Sequence, residues 1–379
     1  MKPSSSSSLV QWSAVIVAGV LLLGCLLVSA QPAQERLVGY LAGFLFFTGL
    51  SAGSLALLFI PALTGGDWGQ YLQPVLMAGA RTLPLQTVLA LPIVIGVRAL
   101  YPWAQSGHLA QDTLLQAQTW YLNPTFFAVR SVAYFAVWLA LLWRVGRSHA
   151  DRAGMPAPGT AAAGLILFAL TTLFAATDWA MSLLPHWHSS TFGLMVGTGW
   201  MLAAAALAVC SALRLHRLPA GAAKLPGDLG NLLLMFVLAW SYLAFMQYLT
   251  VWVADLPAET QWYIPRTLTS WRDVGWCLVV CNFAVPFAIL LSRRAKRHLV
   301  VLRAVAILLL MAQLLDCLWL VLPSLRTQGF ALHWTDLCAW LGMGLLWAGV
   351  YGDNLRRCGR PLVAGSASRM SATLESQRG

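Results

Sequence analysis

The chain has 379 residues, of which 59% are hydrophobic and only 10% charged, and its formal net charge at pH 7 is +11. A soluble protein of ordinary composition carries about 25% charged residues, so this composition excludes a water-soluble globular fold. The basic residues lie in short clusters between long apolar runs, which excludes a nucleic-acid-binding surface and is typical of a multi-pass membrane protein.

Ten segments are apolar and long enough to cross a bilayer, which requires about 20 residues of helix. The third is preceded by a weakly apolar stretch at 71–80 that would lengthen it. In chain order the predicted helices are Leu9–Ala30, Leu37–Pro61, Thr82–Leu100, Pro124–Arg144, Thr160–Leu184, Thr191–Leu213, Leu229–Ala254, Trp271–Leu291, Leu299–Leu322 and Leu332–Tyr351.

The distribution of Lys and Arg predicts the orientation. If the N-terminus is cytoplasmic, the cytoplasmic segments hold 18 of the 24 basic residues. Positive residues concentrate on the cytoplasmic side of membrane proteins, so we expect both ends to be cytoplasmic. Residues 1–8 and 352–379, polar and Ser-rich, are then cytoplasmic tails.

An internal repeat predicts how the helices are grouped. Asp178 and Asp316 each stand seven residues before a proline, at 185 and 323. Matching pairs recur at offsets of about 140 to 150 residues: Trp120-Tyr121 with Trp262-Tyr263, and Thr48-Gly49 with Thr198-Gly199. We therefore expect an all-α integral membrane protein of about ten transmembrane helices. Residues 37–184 and 191–322 each form a four-helix bundle, and helices 9–30 and 332–351 are peripheral.

Ionisable residues inside a membrane are costly and need an explanation. Asp178 and Asp316 lie about six residues from the outer ends of their helices, roughly 9 Å deep, and Arg130 lies near the outer end of the fourth helix. One interpretation is a proton-transfer or quinol-facing site. The other is an internal Arg–Asp pair that holds the bundle together.

Two predicted outer loops are rich in titratable groups. The first contains His186 and His188, and the second, at 255–273, contains Asp255, Arg266 and Asp273. Histidine is the natural proton carrier near neutral pH. The alternative is an interfacial aromatic belt with a docking surface for a partner.

The sequence predicts no metal, haem or other cofactor bound by this chain, and no catalytic residue. All seven histidines fall in loops or at helix ends, whereas a membrane-spanning b-type haem needs histidine pairs at mid-helix. The seven cysteines are scattered, and no phosphate-binding loop is found. Any redox groups would belong to partners or to a diffusing quinone.

One outer segment combines an aspartate, a proline and two histidines in the run Asp178-Trp-Ala-Met-Ser-Leu-Leu-Pro-His-Trp-His-Ser-Ser-Thr-Phe-Gly193. This run resembles the NrfD-like membrane subunits of alternative complex III, a bacterial quinol:electron acceptor oxidoreductase. The segments 100–104, 121–130, 134–138, 245–252 and 255–263 resemble the same family. The rest of the chain resembles it only in hydropathy and helix count.

The resemblance implies a subunit of ten helices in two four-helix bundles, in the bacterial cytoplasmic membrane. It implies as partners a sister NrfD-like subunit, a periplasmic iron–sulfur protein and c-type cytochrome subunits, with a terminal oxidase as a further candidate. Haem c and iron–sulfur clusters would lie in those partners, and quinone or quinol in or near the membrane subunits.

The resemblance also implies proton transport through polar residues in each bundle. It carries Asp178, His186 and Asp255 over as proton-transfer candidates, with Arg130, Gln247 and Arg266 in support. Tyr134, His188 and Asp273 are further polar candidates. Asp316 joins the proton-transfer candidates, although it stands in an otherwise plain apolar helix. Two other functions are left open, a secondary transporter and a purely structural membrane anchor.

Overall fold

The computed structural model describes residues 16–22, 24, 31–105, 107, 112–150, 156–215, 218 and 224–358, with side chains of the fourth long helix described as far as residue 147. Within these ranges the protein is helical and has no strand. Eight helices there are long and apolar enough to cross a membrane, which confirms the prediction of an all-α membrane protein.

The helix bounds follow the hydropathy pattern closely. The long helices are α1 Ala33–Leu57, α2 Asp67–Ala80, α3 at residues 83–100, α4 Pro124–Ala150, α5 Pro158–Trp179, α6 Phe192–Leu215, α7 Leu225–Ala254, α8 Trp271–Leu291, α9 Leu299–Val321 and α10 Trp334–Cys358. Short helical segments are Ile60–Thr64, Thr113–Ala117, Pro257–Thr260, Ile264–Leu268 and Arg293–Arg297, and 3₁₀ turns lie at Pro102–Ala104, Met181–Leu183 and Leu322–Ser324.

The two predicted flanking helices differ from the other eight. The first, 9–30, lies mostly outside the described residues; residues 16–22 are helical and pack against Gly342 of α10. The last forms α10 but is more polar than the eight apolar spans, with Asp336 buried in its first turn. α10 also continues to Cys358, so the predicted C-terminal tail begins as helix, and its remainder lies outside the described residues.

Proline residues interrupt two of the spans. α3 consists of three short pieces, Leu83–Leu89, Leu91–Ile95 and Val97–Leu100; the break at Ala90 lies just before Pro92, and Pro84 is in the first turn of the first piece. In α8, the segment Val279–Ala284 is a π-helix just before Pro286. Because proline has no N–H to donate to the carbonyl four residues earlier, Pro286 leaves the Asn282 carbonyl without its usual partner and favours a widened turn there.

Helices α1, α3, α4 and α5 contact one another in a ring, and so do α6, α7, α8 and α9. The most extensive contact is between α1 and α6, at the junction of the two rings. Burial follows this arrangement: 89% of the most apolar stretch of α1 is buried inside the protein, compared with 22% of that of α8. α10 packs on α1 and α2 outside the first ring. The core of the protein therefore lies between the two bundles.

The two ends of the bundles have different character. Segments 31–36, 101–105, 112–123, 180–191, 255–270 and 322–333 meet at one end, where arginine side chains hold them together; we call it the anchored end. The opposite end, called the basic end, carries Arg81, Arg214, Lys224, Arg293–Arg297 and Arg356.

Candidate functional site

Asp178, at the anchored end of α5, is bound by two residues of α4. Arg130 donates from Nε to Oδ2 at 2.7 Å and from Nη2 to Oδ1 at 2.9 Å, and the Tyr134 hydroxyl donates to Oδ2 at 2.5 Å. Asp178 is fully buried, and its two partners are less than a tenth exposed. Such a bidentate, charge-assisted arrangement fixes both side chains and joins α4 to α5.

Arg130 also ties the loop before α4 to this cluster. Its Nη1 donates to the Tyr121 carbonyl at 2.9 Å, and its guanidinium lies 3.8 Å above the Tyr121 ring and 4.3 Å from that of Phe126. Burial, with the nearby Asp178 carboxylate, raises the pKa of Tyr121 to about 12. The Tyr121 hydroxyl is therefore a neutral donor at physiological pH.

A pocket of about 330 Å³ opens beside this cluster, between the loop before α4 and the loop after α5. Its walls include Trp120, Tyr121, Met181 and Trp187, and Gln118 and His188 supply polar groups. The Oε1 atom of Gln118 is buried and has no hydrogen-bond partner among the described residues. The pocket can therefore take a flat apolar ring that also donates a hydrogen bond.

His186 binds Asp112 rather than Asp178. Its Nε2 lies 2.7 Å from Asp112 Oδ2, and both side chains are about a third exposed. Asp112 also caps the short helix Thr113–Ala117 by accepting from the amides of Leu114 and Leu115. The Leu115 amide and then His186 hold the pKa of Asp112 below its ordinary value. The structure thus separates the two relay candidates Asp178 and His186.

Arg266 occupies a similar place in the second bundle but has no carboxylate partner among the described residues. Its Nη2 donates to the Leu320 carbonyl at 2.7 Å and its Nη1 to the Trp262 carbonyl at 2.6 Å. The guanidinium lies 3.6 Å over the Trp262 ring, and Arg266 is 1% exposed. It therefore neutralises the carbonyl end of α9, where the helix dipole is negative.

Asp316 of α9 is buried without a basic partner among the described residues. The Trp240 indole of α7 is its polar neighbour, and Gln313 lies one turn earlier on the same helix. A Cβ atom at Gly199 would lie 2.8 Å from Gln313 Oε1, so the glycine of α6 gives this amide its room.

The interior of the second bundle holds further polar side chains that lack partners. Gln247 Oε1 is 3.4 Å from the hydroxyls of both Ser189 and Thr191, whereas its buried Nε2 meets no hydrogen-bond acceptor within bonding geometry among the described residues. Asn282, fully buried in the π-helical segment, has neither amide atom paired. In the described part of the bundle, unpaired buried polar atoms are Trp200 Nε1, Trp240 Nε1, Gln247 Nε2, Asn282 Oδ1 and Nδ2, Arg303 Nε, Gln313 Nε2 and Trp319 Nε1. Buried polar atoms of this kind normally bind water or a ligand.

Three predicted site residues lie apart from both clusters. Asp255 is the exposed C-cap of α7, in the left-handed conformation with φ of 46°. Asp273 is exposed and 3.6 Å from Arg272. His188 is exposed at the edge of the pocket.

One buried ion-pair cluster was not predicted from the sequence. Arg326 binds Asp336 of α10 at 2.6 Å and Glu35 of α1 at 2.8 Å. Its three members are up to 301 residues apart in the sequence, so only the isolated acid in the first turn of the last helix could have pointed to it. Asp112, Asn282 and Gln313 were missed as well, because uncharged amides and loop carboxylates carry no hydropathy signal.

No group of three or more metal-ligating side chains is found in the part of the chain that the structure describes. A scan against protein-family models finds no match for this chain, and neither does a search of curated proteins.

Proposed function

We propose that this chain is an NrfD-like membrane subunit of a quinol-oxidising complex of the alternative complex III type. It would lie in the bacterial cytoplasmic membrane with both ends cytoplasmic. The observation that carries the proposal is the segment Asp178–Gly193, whose carboxylate is locked to Arg130 and Tyr134 at the end of the bundle that would face outward. Its partners would be a sister NrfD-like subunit, a periplasmic iron–sulfur protein and c-type cytochromes.

The anchored end suits the docking of extracytoplasmic redox subunits. Arg130, Arg266 and Arg326 each fasten loops to helix ends, so the surface there is ordered by buried bonds. Exposed aromatic side chains project from it, among them Trp120 at 76% and Trp252 at 66% exposure. Tryptophan is common both at membrane interfaces and in protein–protein contacts.

The pocket between Gln118 and His188 supports a role in the quinone environment. A quinol head is a flat ring with two hydroxyl groups, and the pocket offers aromatic walls with an unpaired acceptor at Gln118. With the ring in this pocket, the apolar tail of the quinol would extend into the lipid.

If the subunit moves protons, Asp316 fits the task better than Asp178. In all three hydrogen bonds to Asp178 its carboxylate oxygens are the acceptors. Protonation of Asp178 would therefore break its buried ion pair with Arg130. Asp316 is bound by no basic side chain in the described protein, and Gln313, whose Nε2 is unpaired there and can hold water, lies one turn away.

Purification of the tagged full chain from its native membrane in mild detergent tests the proposal. We expect haem- and iron-containing subunits to co-purify, with a c-type spectrum and quinol-dependent reduction of cytochrome c. A second multi-pass protein of that membrane, purified in the same way, controls for incidental association. Recovery of the chain without any haem or iron protein would overturn the proposal.

A second candidate is a secondary transporter, which the π-helical segment and the unpaired Asp316 favour, since broken helices and buried carboxylates recur in ion pathways. Proteoliposomes of the isolated chain distinguish the two. Proton or substrate flux by the chain alone supports the transporter, and a silent chain that is active only within a redox complex supports the first proposal.

A further inference from the structure

The connection between α8 and α9, at the basic end, concentrates positive charge. Arg293, Arg294, Lys296 and Arg297 form a short helix, and Arg303 follows in the second turn of α9. The sequence has no Asp or Glu between residues 274 and 315. None of these five basic residues forms an ion pair with a described residue.

The cluster is held in a fixed place on the bundle. Lys296 packs against Gly230 of α7, where an added Cβ would lie 2.7 Å from the lysine Cβ, and its Nζ donates to Asn231 Oδ1 at 2.7 Å. Arg293, Arg294 and Arg297 are exposed. One lysine therefore anchors the segment while three guanidinium groups face outward.

Arg303 lies about 6 Å along α9 from its first residue, which places it at the depth of lipid headgroups rather than in bulk water. Its Nε atom is buried and has no hydrogen-bond partner in the described protein. Beside it, Val300 is 71% and Ile307 43% exposed, and Met311 continues the same face at 58%. An apolar stripe thus runs down the membrane-facing side of α9 from the basic cluster.

We propose that this surface binds an anionic phospholipid, with its phosphate between Arg297 and Arg303 and its acyl chains along Val300, Ile307 and Met311. The match is one of charge and depth: guanidinium groups bind phosphate oxygens through two N–H donors, and the stripe accepts hydrocarbon. A soluble anion or an acidic protein segment would match the charges but leave the stripe unexplained.

The test is native mass spectrometry of the purified full chain, titrated with cardiolipin, phosphatidylglycerol or phosphatidylcholine. We expect cardiolipin and phosphatidylglycerol to be retained and phosphatidylcholine to be lost. Each of Arg297→Gln and Arg303→Gln should weaken anionic-lipid retention about five-fold, the effect of one arginine near a lipid surface. Arg303→Lys, which keeps the charge, should retain most of it.

The matched control is Arg357→Gln at the same end, because Arg357 is paired with Asp353. It removes the same charge and should leave lipid retention unchanged. Thermal melting of each variant shows whether reduced lipid retention reflects weaker lipid binding or an unfolded protein. Equal retention of phosphatidylcholine, equal loss in Arg357→Gln, or displacement of lipid by inorganic phosphate would each overturn the proposal, the last by identifying a soluble anion site.

Discussion

Arg130 and Asp178 are joined by two hydrogen bonds of 2.7 and 2.9 Å between α4 and α5, and both side chains are buried. In the second bundle Arg266 reaches the carbonyl end of α9 instead, and no basic side chain of the described residues pairs with Asp316. The two carboxylates look equivalent in the repeat, yet one is fully satisfied and the other is not. Substitutions at the two positions should therefore have opposite effects.

Asp178→Asn should destabilise the protein by about 3–5 kcal/mol, because it leaves the Arg130 charge buried and unpaired. Denaturant titration and thermal melting in a mild detergent measure the change. Arg130→Met combined with Asp178→Leu should recover much of the loss, since the double variant buries no charge.

The exposed pair Arg272–Asp273 is the control for Asp178. Its side chains are 63% and 73% exposed, so Arg272→Gln should change the free energy of unfolding by less than about 1 kcal/mol. If Asp178→Asn is as stable as the wild type while proton release per electron falls, Asp178 is a relay residue and the clamp interpretation is wrong.

Asp316→Asn should leave stability unchanged or raise it by about 1 kcal/mol or more, because a buried carboxyl without a basic partner is costly. In the assembled complex the same change should abolish any proton release that depends on this bundle while haem content stays constant. Proton release in proteoliposomes and thermal melting of the same preparation measure both effects.

Asp316→Glu keeps a carboxyl group at this position and should keep part of the proton release. Comparison with Asp316→Asn therefore distinguishes the loss of a titratable group from a change in side-chain shape. Unchanged proton release in Asp316→Asn would remove Asp316 from any proton route. A loss of stability as large as that of Asp178→Asn would show that Asp316 has a partner that binds it strongly.

Hydropathy predicted most of the fold because the bilayer itself demands about 20 apolar residues in each span. α1 and α3 to α9 lie within six residues of their predicted bounds, the largest differences being at the ends of α4 and α5. α2, which carries Asp67 and polar residues, was read only as an extension of the third span. The π-helical turn before Pro286 was missed because hydropathy does not register a change in hydrogen-bond spacing.

The candidate site was less predictable than the fold. The interpretation of Arg130 and Asp178 as an internal pair could be made because both are charged residues at the same depth. The pairing of His186 with Asp112 depends on how the loop before α4 folds, which no periodicity reveals. Asn282 and Gln313 matter only because their amides lack partners, a property of packing rather than of composition.

Acidification should loosen the segment Thr113–Ala117. The pKa of Asp112 is lowered by the Leu115 amide and by His186, so its contribution to stability is present above its ordinary pKa of 3.8 and is lost as pH falls through the depressed value. Hydrogen exchange of the segment measures this. We expect protection well above pH 3.8 and its loss well below.

Two variants distinguish the helix cap made by Asp112 from the negative charge of its carboxylate. Asp112→Ala removes both and should raise exchange at all pH values, because the helix loses its N-cap. Asp112→Asn retains an N-cap acceptor and should lose only the dependence on pH. Exchange in the wild type that does not change with pH would contradict this account of Asp112.

The contact between α1 and α6 depends on Gly53. A Cβ atom there would overlap the Trp200 carbonyl oxygen and lie 2.7 Å from its carbon and 3.0 Å from the Ala204 Cβ. Backbone atoms of a packed helix cannot move aside as a flexible side chain can, so α1 and α6 would have to separate. Gly53→Ala should therefore cost about 1–3 kcal/mol of unfolding free energy, measured by denaturant titration in detergent.

Gly146→Ala is the matched control: nothing lies within 4 Å of a Cβ there, and alanine in α4 should stabilise by up to about 1 kcal/mol. Equal stability changes in the two variants would show that the junction of the bundles tolerates separation, and the close approach of α1 to α6 would then not be what holds the two bundles together.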